Sequence, residues 1–186
     1  MKYQLLKLIL VIVLMTNIAA CINTHGTPED ALKDLGLEEE SFSRLPVCEQ
    51  IKIFAEVGYD FMDIDHGSVG NPSWMYDELR KHDVEVISTC IKSQILEYIS
   101  LIDQNPDVYK EGSLKIHALI YLSESLGLVK NSSIIDVLKI IVCDDEVELY
   151  HENFTAIYYL TQRDKLPNYA ITPEGLEKLR IDVCEF

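Results

Sequence analysis

Apolar residues recur along most of this chain at spacings of three and four, the period of a helix with one buried face. Thr27-Pro28-Glu29-Asp30 reads as a helix start. Thr27 suits the cap, Pro28 the first turn, and Asp30 can close a capping box. Gly36 is the expected stop, and Glu38-Glu39-Glu40 follows as an exposed acidic run. Pro46 opens a stronger helix to about Val57, with Ile51, Phe54 and Ala55 near one face. Gly58 to Pro72 is the longest irregular stretch, rich in Asp and Gly. Asn71-Pro72 then starts a helix carrying Trp74, Met75 and Leu79. Asp83 is placed to cap the next helix, whose face is Ile87, Ile91, Ile95, Tyr98 and Ile102. Only its opening, Val84-Glu85-Val86, alternates like a strand.

Asn105-Pro106 breaks the pattern, because the residue before a proline is pushed out of helical geometry. A helix from about Gly112 presents Ile116, Leu119, Tyr121 and Leu122 and ends at Gly127. Ser133 is the expected cap of the next, with Asp136 three residues on and a face of Ile134, Ile135, Leu138, Ile141 and Val142. Two more helices are expected, over about Val147 to Thr161 and from Thr172-Pro173-Glu174 onward, where Leu176, Leu179 and Val183 share a face. The predicted fold is therefore all-α, an irregular helical bundle or a short helical stack. One motif returns within it. Ile116-x-Ala118-Leu119-x-Tyr121-Leu122 reappears as Phe154-x-Ala156-Ile157-x-Tyr159-Leu160, offset by about 38 residues. Over about 105–166 the chain resembles helical repeats of the HEAT or armadillo type, whose period is about 40 residues. That resemblance implies equivalent, closely packed positions for Ala118 and Ala156.

The first segment does not fit a packed domain. Lys2 and Lys7 flank a short positive start, and Leu8 to Met15 is an unbroken apolar run. It has the length of a signal-peptide core and is too short for a membrane span, which needs about 20 apolar residues. Ile18-Ala19-Ala20-Cys21 follows. These four residues resemble the lipobox of bacterial lipoproteins: a branched apolar residue, two small residues and the cysteine that is lipidated. The resemblance implies cleavage after Ala20 and diacylglycerol on the Cys21 sulfur. Further acylation would make the tether effectively permanent, since one chain binds membranes marginally and two hold firmly. Ile22 stands where an Asp would signal inner-membrane retention in Gram-negative lipoproteins, which points to the outer membrane, facing the periplasm. The expected organisation is a signal peptide over 1–20, a lipidated tether over 21–26 and one acidic helical domain over 27–186.

Charge narrows the partners. The chain of 186 residues carries a formal net charge of -15, and loss of Lys2 and Lys7 takes the mature form to about -17. Nucleic acid is not expected, because binding there rests on Lys and Arg neutralising phosphates. The same balance disfavours a basic face reading anionic lipid, and it suits a basic protein partner or simple solubility.

Candidate chemistry is sparse. Asp63 and Asp65 alternate like the start of an EF-hand loop. Gly67 then occupies the fifth position and Trp74 the twelfth, where oxygen ligands belong, so calcium is not expected. The five histidines, His25, His66, His82, His117 and His151, share no one-turn spacing, and Cys and His do not cluster at zinc spacings. His117 beside an apolar face reads as a packed histidine. No nucleophile elbow, phosphate loop or dinucleotide fingerprint occurs, and Ser113 and Ser133 are explained as helix caps. No metal or cofactor is expected. Cys48, Cys90, Cys143 and Cys184 remain after Cys21, an even set that permits two disulfides in an oxidising compartment. Consecutive elements of a helical stack are neighbours, so Cys48–Cys90 and Cys143–Cys184 are the expected pairs.

The functional expectation is a lipid-anchored envelope protein, not an enzyme, that binds another protein. One version is an immunity lipoprotein neutralising a toxin delivered into the periplasm, since such proteins are commonly small, acidic and lipid-anchored. Asp63 and Asp65 on the irregular stretch, and Asp144, Asp145, Glu146 and Glu148 at a helix junction, are the expected contacts with a basic surface. The alternative is an envelope hydrolase assembling its site from scattered carboxylates with His66 or His151.

Overall fold

A computed structural model describes Thr27, Glu29, Leu32, Lys33, residues 36–60, 70–143 and Cys184; of Tyr59 and Asp60 it describes the helical backbone alone. Among these residues there are six α-helices and no strand. They are α1 (Glu39–Ser43), α2 (Val47–Asp60), α3 (Ser73–Leu79), α4 (Val84–Gln104), α5 (Tyr109–Ser125) and α6 (Ser132–Cys143), with a 3-10 turn, Pro106–Val108, before α5. The described part is an all-α helical bundle. Among the described residues, no helix is long and apolar enough to cross a membrane.

Local chemistry sets most boundaries. Asp83 has extended backbone angles, and its side chain accepts hydrogen bonds from the backbone N–H groups of Glu85 (2.9 Å) and Val86 (3.3 Å). This cap satisfies donors that an uncapped helix leaves orphaned, and it overrides the strand-like alternation of Val84-Glu85-Val86. Those two valines are helical and half exposed. At the far end, Pro106 forces Asn105 to φ -146°, ψ 91°, and the Asn105 side chain accepts from the Asp107 N–H. Gly127 closes α5 at φ +71°, a conformation that favours glycine. Its N–H donates to Glu124 O, and the Leu128 N–H reaches back to Ser123 O, which buries Leu128 against the core. Gly36 makes the same closure, with Leu37 bonding back to Leu32 and both leucines buried.

Three boundaries differ from the sequence expectation. Helix α2 continues through Gly58 to Asp60. Helix α5 starts at Tyr109, because the 3-10 turn feeds directly into it, so Ser113 is a buried position inside the helix and not a cap. The cap role at α6 belongs to Asn131, whose Oδ1 accepts from the Ser133 N–H at 2.9 Å while its Nδ2 donates to Glu85. Asp136 instead pairs with Lys92 across to α4.

Pairwise contacts fix the helix directions. Cys48 meets Cys90 and Glu56 meets Tyr98, so α2 and α4 run parallel. Tyr98 faces Lys115 and Ile102 faces Gly112, so α5 runs antiparallel to α4. Glu85 meets Asn131 and Lys92 meets Asp136, so α6 runs parallel to α4. The core fills the space between them. Ile51 and Phe54 of α2, Met75 and Leu79 of α3, Ile91 and Ile95 of α4, Ile116, Leu119 and Leu122 of α5, and Ile134 of α6 are fully buried. Each such side chain is worth about 1.5–3 kcal/mol of transfer free energy. Edge-to-face pairs, Phe42–Trp74 and Phe54–Tyr76, lock α1 and α3 onto this core.

Candidate functional site

Ionisable side chains gather where α2, α4 and α5 meet. Glu111 and Lys115 are one helical turn apart on α5, so they share a face. The antiparallel run of α5 along α2 brings Glu56 to that face. The Lys115 ammonium pairs with Glu56 Oε2 and Glu111 Oε1, both at 2.5 Å. Tyr98 Oη donates to Glu56 Oε1 at 3.4 Å, and the Lys115 nitrogen lies 5.7 Å from the Tyr98 ring centroid. The Lys115 side chain is 8% exposed, against 19% for Glu56 and 49% for Glu111.

Burial pulls the Lys115 pKa down, but Glu56 and Glu111 more than offset it, and the ammonium is held above the ordinary lysine value. Burial, then the neighbouring Glu56 and Glu97 carboxylates, push the Tyr98 phenol well up. Lys115 is therefore a fixed cation and Tyr98 a fixed neutral phenol at physiological pH. A lysine in that state is neither base nor nucleophile. The cluster is a clamp between three helices. A second polar tie lies near the other end of α2. Gln50 is fully buried, donates through Nε2 to Leu45 O at 3.0 Å and accepts at Oε1 from His82 Nε2 at 3.1 Å.

The structure joins Cys48 to Cys90, with Cα atoms 5.1 Å apart, and Cys143 to Cys184, at 5.7 Å. Cys21, Asp63, Asp65, Asp144, Asp145, Glu146 and Glu148 lie outside the described residues, as do His25, His66, His151 and the second copy of the repeat motif. The described residues next to the two acidic groups are informative. Asp60 and Cys143 are the last described residues of α2 and α6, and both helices run parallel to α4. The last described residues of α2 and α6 thus lie at the same end of the bundle, the end where α4 finishes and α5 begins. Glu97, Asp103, Asp107 and Glu111 are exposed there, together with Lys110; Glu97 faces Lys52 at 3.9 Å and Glu111 is held by Lys115. Elsewhere Arg44 pairs with Glu40, Arg80 with Asp77, Lys81 with Glu78 and Lys92 with Asp136. Among the described residues, no group of three His, Cys, Asp or Glu side chains could hold a metal ion. No family model, no curated protein and no solved structure matches the chain.

The Glu56–Lys115–Glu111 clamp escaped the sequence reading. Its Glu111–Lys115 half was visible as a one-turn spacing of opposite charges; Glu56 was not, because its approach depends on how α2 and α5 pack.

Proposed function

We propose that this chain is a lipid-anchored envelope protein, not an enzyme, that binds a basic protein partner through an acidic surface at one end of its helical bundle. The observation that carries the reading is convergence. Asp60 and Cys143, the last described residues before Asp63 with Asp65 and before Asp144 to Glu148 in sequence, lie at the same end of the bundle. Exposed carboxylates of α4 and α5 flank that end. Loops carried on a rigid helical frame are common contact sites, and opposite charge speeds encounter with a basic surface. The two disulfides support maturation in an oxidising compartment, as expected for an exported chain. The lipobox-like Ile18-Ala19-Ala20-Cys21 supports the anchor. An immunity protein that neutralises a basic toxin is the specific version we favour.

The test is the association rate with a captured basic partner at low and high salt. Wild type is compared with a variant carrying Asp144→Asn, Asp145→Asn, Glu146→Gln and Glu148→Gln. Exposed charges are screened beyond about 8–10 Å at physiological ionic strength, so the wild-type rate should fall steeply with salt and the variant should be slow at every salt. A rate indifferent to both salt and the substitutions removes the acidic surface from recognition.

A further inference from the structure

The Cys48–Cys90 bridge joins two residues of unequal exposure. Cys48 is an exposed residue in the first turn of α2. Cys90 lies well inside α4 and is 5% exposed, within the apolar core. The two residues sit near the starts of parallel helices, at the end of the bundle opposite Asp60 and Cys143. Their surroundings do not depend on the bridge alone. Ile51 and Phe54 follow on α2, Ile87 and Ile91 flank Cys90 on α4, and all four are buried. Gln50 independently ties α2 to Leu45 and to His82.

We propose that Cys48 is the sulfur through which an external thiol–disulfide oxidoreductase forms this bridge in the folded chain. Access decides which sulfur meets a protein-sized reagent, and Cys48 is the exposed member of the pair. In the first step the Cys48 thiolate attacks one sulfur of the oxidoreductase disulfide. That S–S bond breaks and its electron pair leaves on the enzyme's second cysteine, which becomes a thiolate. A mixed disulfide now joins Cys48 to the enzyme. In the second step Cys90 loses its proton to solvent and its thiolate attacks the Cys48 sulfur. The intermolecular bond breaks, and its electron pair leaves on the enzyme's first cysteine. The chain has been oxidised by two electrons and the enzyme reduced to its dithiol. The proposal is independent of the acidic recognition surface proposed above, since Cys48 and Cys90 lie at the end of the bundle opposite Asp60 and Cys143. Failure of one leaves the other standing.

The experiment uses the full chain and, as the probe, an oxidoreductase whose second cysteine is replaced by serine and whose first is carried as a mixed disulfide with a small aromatic thiol. Attack on the enzyme sulfur expels the aromatic thiolate, and in the folded Cys90→Ala variant neither the chain nor the enzyme holds a second thiol to resolve the product, so an adduct mapped to Cys48 should accumulate. The folded Cys48→Ala variant should form its adduct at Cys90 on the order of tenfold more slowly, because access controls exchange. In denaturant the two variants should react at similar rates. Equal or reversed rates in the folded state, or no adduct on folded Cys90→Ala, overturn the proposal. Circular dichroism reports whether each variant is folded. If either is not, the wild-type chain is exposed briefly to reduced glutathione and quenched with acid. The first mixed disulfide at this bridge should then map to Cys48; an adduct at Cys90, or none without denaturant, overturns the proposal.

Discussion

Two seams of the bundle use charge differently. Where α5 crosses α2 and α4, Lys115 is buried between Glu56 and Glu111 under the ring of Tyr98. Where α6 runs along α4, the polar ties lie at the surface: Lys92 with Asp136, 31% and 59% exposed, and Asn131 with Glu85. The apolar packing of both seams is good, since Ile116 and Leu119 on one side and Ile134 and Leu138 on the other are almost fully buried. The difference is what happens when a charge is lost. A surface pair exchanges one solvated arrangement for another and is worth about 0–1 kcal/mol. In the inner seam, removing the cation strands a partly buried carboxylate and a phenol that were organised around it.

The largest expected effect follows directly. Lys115→Ala should lower the unfolding free energy by about 3 kcal/mol, the usual cost of removing one member of a buried ion pair, measured by urea denaturation. A loss below about 1 kcal/mol would erase the contrast between the seams. The inner seam should also set the alkaline limit of stability. Tyr98, Tyr76 and Lys115 all have raised pKa values in the folded state, against ordinary values of 10.0 for tyrosine and 10.5 for lysine. A raised pKa contributes stability that is fully present below the unfolded-state value and is lost as pH rises through the folded one. Stability should therefore fall above about pH 10. The phenolate absorbance that Tyr98→Phe removes should appear only with loss of helix; its appearance in the still-folded chain would contradict the burial assigned to Tyr98.

Smaller effects sharpen the comparison. Ser88 sits fully buried on α4, and its hydroxyl has no hydrogen-bond partner among the described residues. An unsatisfied buried hydroxyl costs more than it returns, and alanine is the better helix former, so Ser88→Ala should stabilise by about 1 kcal/mol. A destabilised variant would mean that the hydroxyl is bonded in solution. Smallest of all, Asp136→Asn at the outer seam should shift the denaturation midpoint by less than about 0.5 kcal/mol in free-energy terms.

What was legible in the sequence divides along the same line. The helices α2 to α6 could be read because their apolar faces repeat at helical spacing and because local chemistry ends them. Asp83, Asn105-Pro106, Gly36 and Gly127 act within a few residues of their own position. Helix α5 began earlier than expected, because the break at Pro106 is a single 3-10 turn and not a loop. Ser133 and Asn131 both qualified as caps by type, and the second bond of Asn131, to Glu85 on another helix, helps place it. Glu56 and Lys115 are far apart in sequence, and only packing reveals that they share a buried space. Of the candidate contact residues, the sequence showed clustering within each acidic group. That Asp60 and Cys143, the described residues preceding the two groups, lie at one end of the bundle required the parallel arrangement of α2, α4 and α6.

The proposed function rests most heavily on the anchor, since a tether would set where the acidic domain acts. Metabolic labelling with a fatty acid tests it directly, comparing wild type with Cys21→Ser in cells of the source organism. The account predicts label on the wild-type chain that resists denaturing gel electrophoresis, and none on the variant, which should either accumulate with its first 20 residues attached or be released from the membrane fraction. Equal labelling of the two chains, or a wild-type chain that carries no fatty acid and partitions into water, would contradict it.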